Sequence, residues 1–226
     1  MLKLAIFDVD GTLIDSQAII LAAMAEAHAE TAVPLPPCDQ VLSIVGLSLH
    51  RAFATMHPEI DEGTIDALAT AYKAAFSRIR AEGRAEAATP FFPGAMAALE
   101  RLDREGWLLG IATGKARRGL RHLFDTHGIE PLFIATQTAD DAPSKPHPGM
   151  VLNLLAATGV EATRAVMIGD TAWDIEMGRA ARTPAVGVAW GYHPVEALHR
   201  AGAASVIEHF DHLDAALDAA LAGQAA

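Results

Sequence analysis

The sequence has 226 residues, 28 Asp and Glu against 17 Lys and Arg, a formal charge of −11, 51% apolar residues and a single cysteine, Cys38. That apolar share supplies a sizeable core and excludes a disordered chain, while a length above roughly 150 residues calls for one large domain or a core with an insert. The acidic balance excludes nucleic acid as the main partner, since phosphate backbones demand basic surface. No uncharged apolar run approaches the roughly 18 residues of a membrane span, and one cysteine cannot close an intramolecular disulfide. Lys3, Asp8 and Asp10 interrupt the opening segment, which is not a secretory signal. A soluble cytoplasmic protein is expected.

Leu2–Phe7 is a short apolar run that stops at Asp8, and similar runs occur at Gly106–Ala112, Leu132–Ala135, Ala165–Ile168 and Ala185–Val188. From Gly106 onward they alternate with amphipathic helix patterns. Strands apolar on both faces, alternating with helices, predict a buried parallel sheet of α/β type. Phe210, Leu213, Leu217 and Leu221 mark a last helix, and an alanine-rich tail after Leu221 is expected to fray. Between Asp15 and about Pro90 the pattern is helical throughout. Ile65, Leu68, Tyr72, Phe76 and Ile79 step by three or four residues into one stripe, and Val33-Pro34-Leu35-Pro36-Pro37 separates the first helix of this region from the later ones. The division expected is a core of residues 1–14 and 90–226 with a helical insert of 15–89.

Chemistry concentrates at the strand ends. Asp8-Val9-Asp10-Gly11-Thr12 comes directly after the first strand, and two carboxylates two residues apart point the same way from extended backbone. The C-terminal end of a strand is where open α/β sheets bind ligands, and a cation such as Mg²⁺ relieves paired carboxylates. The Asp-Gly dipeptide is also a common solvated turn. Asp170 ends another buried strand, with Asp174 four residues on; Asp170 alone would equally suit the cap of a helix starting near Thr171. Thr113-Gly114-Lys115 ends a strand and opens a helix, where a hydroxyl and backbone N–H groups suit an anion. Lys115 in a first turn opposes the helix dipole unless an anion is bound beside it. Lys145, between Ser144 and Pro146, has restricted backbone. The ten histidines form no metal-ligand pattern, and most are expected at the surface.

These elements in this order resemble the four motifs of the haloacid dehalogenase-like superfamily: Asp8-Val9-Asp10-Gly11-Thr12, then Thr113, then Lys145, then Gly169-Asp170 with Asp174. The helical insert resembles that superfamily's small α-helical cap. Ile111–Lys115 and Trp190-Gly191-Tyr192-His193 are similar to the phosphoglycolate phosphatase-like branch. The resemblance spans about Leu2 to Leu217. It implies a Rossmann-like parallel-sheet core with an inserted α-helical cap, Mg²⁺, and hydrolysis of a small phosphorylated metabolite. It implies Asp8 as nucleophile and Asp10 as general acid and base. Mg²⁺ would be held by Asp8, the Asp10 carbonyl and Asp170, with Asp174 in support. Thr113 and Lys145 would bind the phosphoryl oxygens, and Lys145 would also restrain Asp8; Gly114 and Lys115 are further candidates for the phosphate site.

Asp10 separates this pattern from a dehalogenase, which lacks the second acid. A phosphonatase would need a Schiff-base lysine from the insert, where Lys73 is the only lysine. A sugar-phosphate mutase of the same superfamily keeps all four motifs and stays open, as does a phosphate-binding module with a relict site. Val41–Phe53 resembles the cap segment that meets the leaving group. There His50 and Arg51 are candidates for a substrate carboxylate or second anion, and a solvated helix face is the alternative.

Overall fold

The computed structural model of the protein describes residues 2–84 and 87–223. Leu4-Ala5-Ile6-Phe7 is fully buried, and a run apolar at every position is stable only where both faces of a sheet are covered. Strand β1 (Lys3–Phe7) accordingly lies inside the sheet. Among the described residues it is joined by β2 (Trp107–Ala112), β3 (Ala135–Gln137), β4 (Ala165–Gly169), β5 (Ala185–Val188) and β6 (Ser205–Ile207). The strands are parallel in the order β3-β2-β1-β4-β5-β6. This is the doubly wound, Rossmann-like order, and the chain reverses its direction of travel across the sheet between β1 and β4.

Successive side chains of β1 serve opposite layers, as the strand period of two requires. Ala5 and Phe7 join the core formed with α5 (Ala95–Arg104), α6 (Arg117–His127) and α10 (Leu213–Ala222). Leu4 and Ile6 join the one formed with α7 (Gly149–Thr158), α8 (Ala172–Ala180) and α9 (Val195–Ala201). A third core is made by α1 (Gln17–Thr31), α2 (Cys38–Ser43), α3 (Leu49–Met56) and α4 (Glu62–Ala81). The expected stripe lies on α4, with Ile65, Leu68, Tyr72 and Ile79 buried and Phe76 partly so. Where the chain leaves and re-enters the sheet region, the Asp15 amide donates to the Pro90 carbonyl (2.8 Å) and the Phe92 amide to that of Leu13 (2.9 Å).

One expectation shifts, and two features go beyond the sequence reading. The third strand lies at Ala135–Gln137 rather than Leu132–Ala135, because Pro131 places Glu130–Leu132 in a 3-10 turn. Strand β6 was not foreseen; Ser205-Val206-Ile207 is too short a run to show a period. Two histidines are core residues, His28 and His57, with Nε2 atoms 3.0 Å apart inside the helical insert. The helix α10 continues to Ala222, and the rest of the alanine-rich tail lies outside the described residues. No helix among the described residues is long and apolar enough to cross a membrane.

Candidate active site

Register brings the acids together. Phe7 pairs with Ile168 of β4 and with Ile111 of β2, and the Asp8 amide donates to the Ile168 carbonyl at 2.9 Å. Asp8 and Asp170 therefore emerge side by side at the C-terminal ends of β1 and β4, on the reversal point where such sheets bind ligands. One carboxylate oxygen from each of Asp8, Asp170 and Asp174 falls within 4.8 Å of the others. All three residues are buried. The chain can turn away from Asp8 this tightly because Gly11 has φ +85°, and a Cβ there would overlap the Asp170 carboxylate.

Lys145 is the cation inside this cluster. It is 1% exposed, a very costly state for an ammonium unless paired. Its Nζ lies 2.6 Å from Asp174 Oδ1, to which it donates, and 2.8 Å from Asp8 Oδ1. Burial works against the charged lysine, but Asp174 and Asp8 outweigh it and hold the ammonium above its usual range. One lysine among three acids leaves excess negative charge. Burial first, then the neighbouring carboxylates, pushes Asp8 up to about 7 against the pull of Lys145. Asp170 is raised by the same causes, although it accepts from Thr12 Oγ1 (2.8 Å) and the Tyr192 amide (2.9 Å). Asp8 differs. Its Oδ1 faces the Lys145 ammonium at 2.8 Å, while its buried Oδ2 has no hydrogen-bond donor.

Asp174 has a second duty. The helix α8 is capped by Thr171, not Asp170, and Asp174 closes the capping box: its Oδ2 accepts from the Thr171 amide (3.1 Å) and hydroxyl (2.6 Å). The cap thus fixes an acid whose other oxygen faces Lys145.

Asp10 stands apart from the three. Its Oδ1 accepts from Ser16 Oγ at 2.6 Å, pairs with Lys115 Nζ at 2.9 Å, and is linked through Ser16 to the Tyr192 hydroxyl (3.1 Å). Its carboxylate is not one of the three that converge. Thr113 is buried at the end of β2, and its Oγ1 accepts from the Lys115 amide (3.2 Å). Lys115 precedes the helix instead of lying in its first turn, since α6 starts at Arg117 after Ala116. Its charge is answered by Asp10. Gly114 has a different reason to be glycine: a Cβ there would overlap the Gly46 carbonyl of the insert. Gly46 and Gly114 thus make a close backbone approach between insert and strand ends.

The insert touches the strand ends through the same short segment. The Ser48 amide donates to Ser144 Oγ (2.9 Å), and the Ser43 carbonyl accepts from Trp173 Nε1 (3.2 Å) and lies 2.9 Å from His193 Nε2. His50 faces Asp66 (3.7 Å) and Glu62 (4.0 Å) on α4. Arg51 is exposed on α3, with no hydrogen bond or ion pair among the described residues.

Residues 5–188 match the haloacid dehalogenase-like hydrolase family. The chain belongs to that family. A probable phosphatase, IndB, from Dickeya dadantii is 30% identical over 98% of this chain and 96% of its own length. A phosphoglycolate phosphatase from Caulobacter vibrioides is 35% identical over 90% and 86%. The crystal structure of a hydrolase from Pseudomonas syringae superposes with a TM-score of 0.84 at 28% identity, covering 96% of this chain and 98% of that one. As a haloacid dehalogenase-like hydrolase of the phosphoglycolate phosphatase-like kind, the chain is an enzyme.

The divalent metal such hydrolases generally use is testable on these residues, and they fit it. Three convergent carboxylates form an all-oxygen donor set suited to a hard cation. Asp8 Oδ2, buried without a hydrogen-bond donor, is a polar atom a cation would satisfy. Sequence reasoning missed Ser16, and it quoted Thr12, Ser144 and Tyr192 within motifs without giving them a role. Their partners lie up to 176 residues away in the chain, and no local signal marks them.

Proposed function

We propose that the chain is a Mg²⁺-dependent phosphatase of small phosphate monoesters, acting through an aspartyl-phosphate on Asp8, with a phosphoglycolate-like metabolite as substrate. The observation that carries this is Asp8 itself: a buried carboxylate at the sheet's ligand-binding edge, paired with Lys145 through Oδ1 and converging with Asp170 and Asp174.

In this reading Asp8 attacks phosphorus, the P–O bond to the leaving group breaks, and an acyl phosphate forms on Asp8. Asp10, within 2.9 Å of Lys115 and 2.6 Å of Ser16, gives its proton to the departing oxygen. It then takes one from the water that hydrolyses the acyl phosphate. Lys145 holds Asp8 in place and neutralises a phosphoryl oxygen, and Thr113 offers its hydroxyl to another. Asp8, Asp170 and the Asp10 carbonyl would hold Mg²⁺, with Asp174 behind them. When bound, the ion supplies positive charge between an anionic nucleophile and an anionic substrate.

The same reading divides the chain into a core of 1–14 and 90–226 and a cap of 15–89. It places the paired segments Leu13–Asp15 and Pro90–Phe92 at the hinge, and the enzyme in the cytoplasm, where the unpaired Cys38 is at home. Hydrolysis of 2-phosphoglycolate tests it. Turnover should require Mg²⁺, stop with EDTA and return when Mg²⁺ is restored. Equal turnover in metal-free buffer would refute the reading.

A further inference from the structure

Against Lys115 there is a cleft of about 370 Å³ between the end of α4, helix α6 and the returning segment Ala87–Pro90. Its polar walls are basic: Arg80, Lys115, His122 and His127 line it, and no carboxylate does so among the described residues. In a chain of formal charge −11 this concentration is unusual. Lys115 connects the cleft to the reaction centre, because this lining residue carries an ammonium 2.9 Å from Asp10 Oδ1.

Arg80 is the cation without an answer. It is half-buried on α4, and its guanidinium lies over the Phe76 ring at 4.9 Å, with Lys115 Nζ over the same ring at 5.7 Å. Among the described residues no hydrogen bond or ion pair holds Arg80. Burial lowers the guanidinium from its usual range, and Asp10 is the first group that opposes this. The cleft's positive character also registers at His122, which is lowered by burial and then by Arg80, with Asp125 opposing. On the opposite wall His127 Nε2 is buried without a hydrogen-bond partner.

We infer that this cleft receives the leaving-group end of the substrate, and that Arg80 binds a second anionic group there, a carboxylate or a phosphate, with Lys115 beside it. The inference rests on the phosphatase reading, which makes Asp10 the acid that meets the leaving oxygen. Whatever Asp10 protonates must extend away from the phosphoryl group. The adjoining space is small, basic and walled by a planar fork suited to two parallel hydrogen bonds with a carboxylate or phosphate. Arg80, unlike the exposed Arg51, lines this cleft and shares the Phe76 ring with Lys115, which is itself paired with Asp10. It is therefore a specificity-determining residue, one that reads the leaving group and leaves the transferred phosphoryl to the strand-end residues.

The test compares wild type, Arg80→Gln and Arg80→Lys, each checked for folding by thermal unfolding. The substrates are 2-phosphoglycolate and 2-hydroxyethyl phosphate, which differ in the carboxylate, with pyrophosphate and methyl phosphate as the phosphate-bearing pair. Losing one charged hydrogen-bonding partner is worth about 10- to 150-fold. Arg80→Gln should lower the ratio of kcat/KM for anionic over neutral ester by that factor in at least one pair. The pair that responds identifies the second anion. Arg80→Lys, which keeps the cation and not the fork, should show the same loss in smaller measure and serves if the glutamine variant does not fold. Ratios unchanged within about 2-fold in both pairs, in a folded variant, would overturn the assignment while leaving the phosphatase reading intact. A wild type inert toward all four compounds with Mg²⁺ would remove both.

Discussion

Replacing Lys145 by methionine keeps most of the side chain's volume and removes its charge from between Asp8 and Asp174, at 2.8 and 2.6 Å. Breaking a buried ion pair by deleting one partner costs about 3–5 kcal/mol, because the remaining charge is stranded. For a chain of this length about 1 kcal/mol moves Tm by 2–4 °C, so a loss of roughly 6–20 °C is expected in EDTA at pH 8. The cost depends on pH in a defined direction. Asp8 and Asp170 are already held above their unfolded value, and without Lys145 Asp8 rises further. A carboxyl raised in the folded state retains protons that the unfolded chain, with a value near 3.9, releases. The stability such a group contributes is complete below about pH 4 and is lost as pH climbs through the raised value, about 7 for Asp8. The deficit of Lys145→Met should therefore shrink toward pH 5, and Mg²⁺ at pH 8 should stabilise the variant more than the wild type. Thermal unfolding monitored by circular dichroism at the two pH values, with and without Mg²⁺, measures all of this. A Tm within about 2 °C of wild type at pH 8 in EDTA, or a larger deficit at pH 5, would refute the electrostatic account of the cluster.

Gly114→Ala would push the Gly46 carbonyl away and hold the insert off the strand ends. Catalytic efficiency on 2-phosphoglycolate should fall at least 10-fold with Tm changed by only a few degrees, and an unchanged kcat/KM would show that this contact is dispensable. Buried His28 is lowered from its ordinary value, chiefly by burial, so the unfolded chain binds its proton more readily. Stability should decline as pH falls below about 6.5, and His28→Gln should flatten that part of the Tm profile. Exposed Arg182 has φ +59° in the turn before β5. Glycine there should raise stability by about 0.5–1 kcal/mol, read from urea unfolding, and a loss would mean that Arg182 makes an interaction outweighing its strain.

The features legible in the sequence are the local ones. Leu4–Phe7 with Asp8 after it, and Val166–Ile168 with Gly169-Asp170 after it, each carry a buried strand and its terminal acid within a few residues, so strand, edge and acid could be read together. The capping box of Thr171 and Asp174 was also legible from spacing, and overlooking it hid why Asp174 is so firmly placed. Strand β6 is three residues at the sheet edge and leaves no pattern. The pairing of Asp10 with Lys115 and Ser16, the docking of Gly46 on Gly114, and the meeting of Arg80 and Lys115 over Phe76 bring together the insert and the core. No periodicity encodes such contacts; they exist only once both parts are folded.

The claim on which the mechanism depends is that Asp8 becomes phosphorylated during turnover. Acid quenching during hydrolysis of 2-phosphoglycolate with Mg²⁺, reduction of the acyl phosphate with borohydride and peptide mapping by mass spectrometry locate the modified residue. Conversion of Asp8 to homoserine, absent when EDTA is added and absent in Asp8→Asn, is the predicted result. Modification at Asp10 or at any other carboxylate, or full turnover by Asp8→Asn, would contradict it.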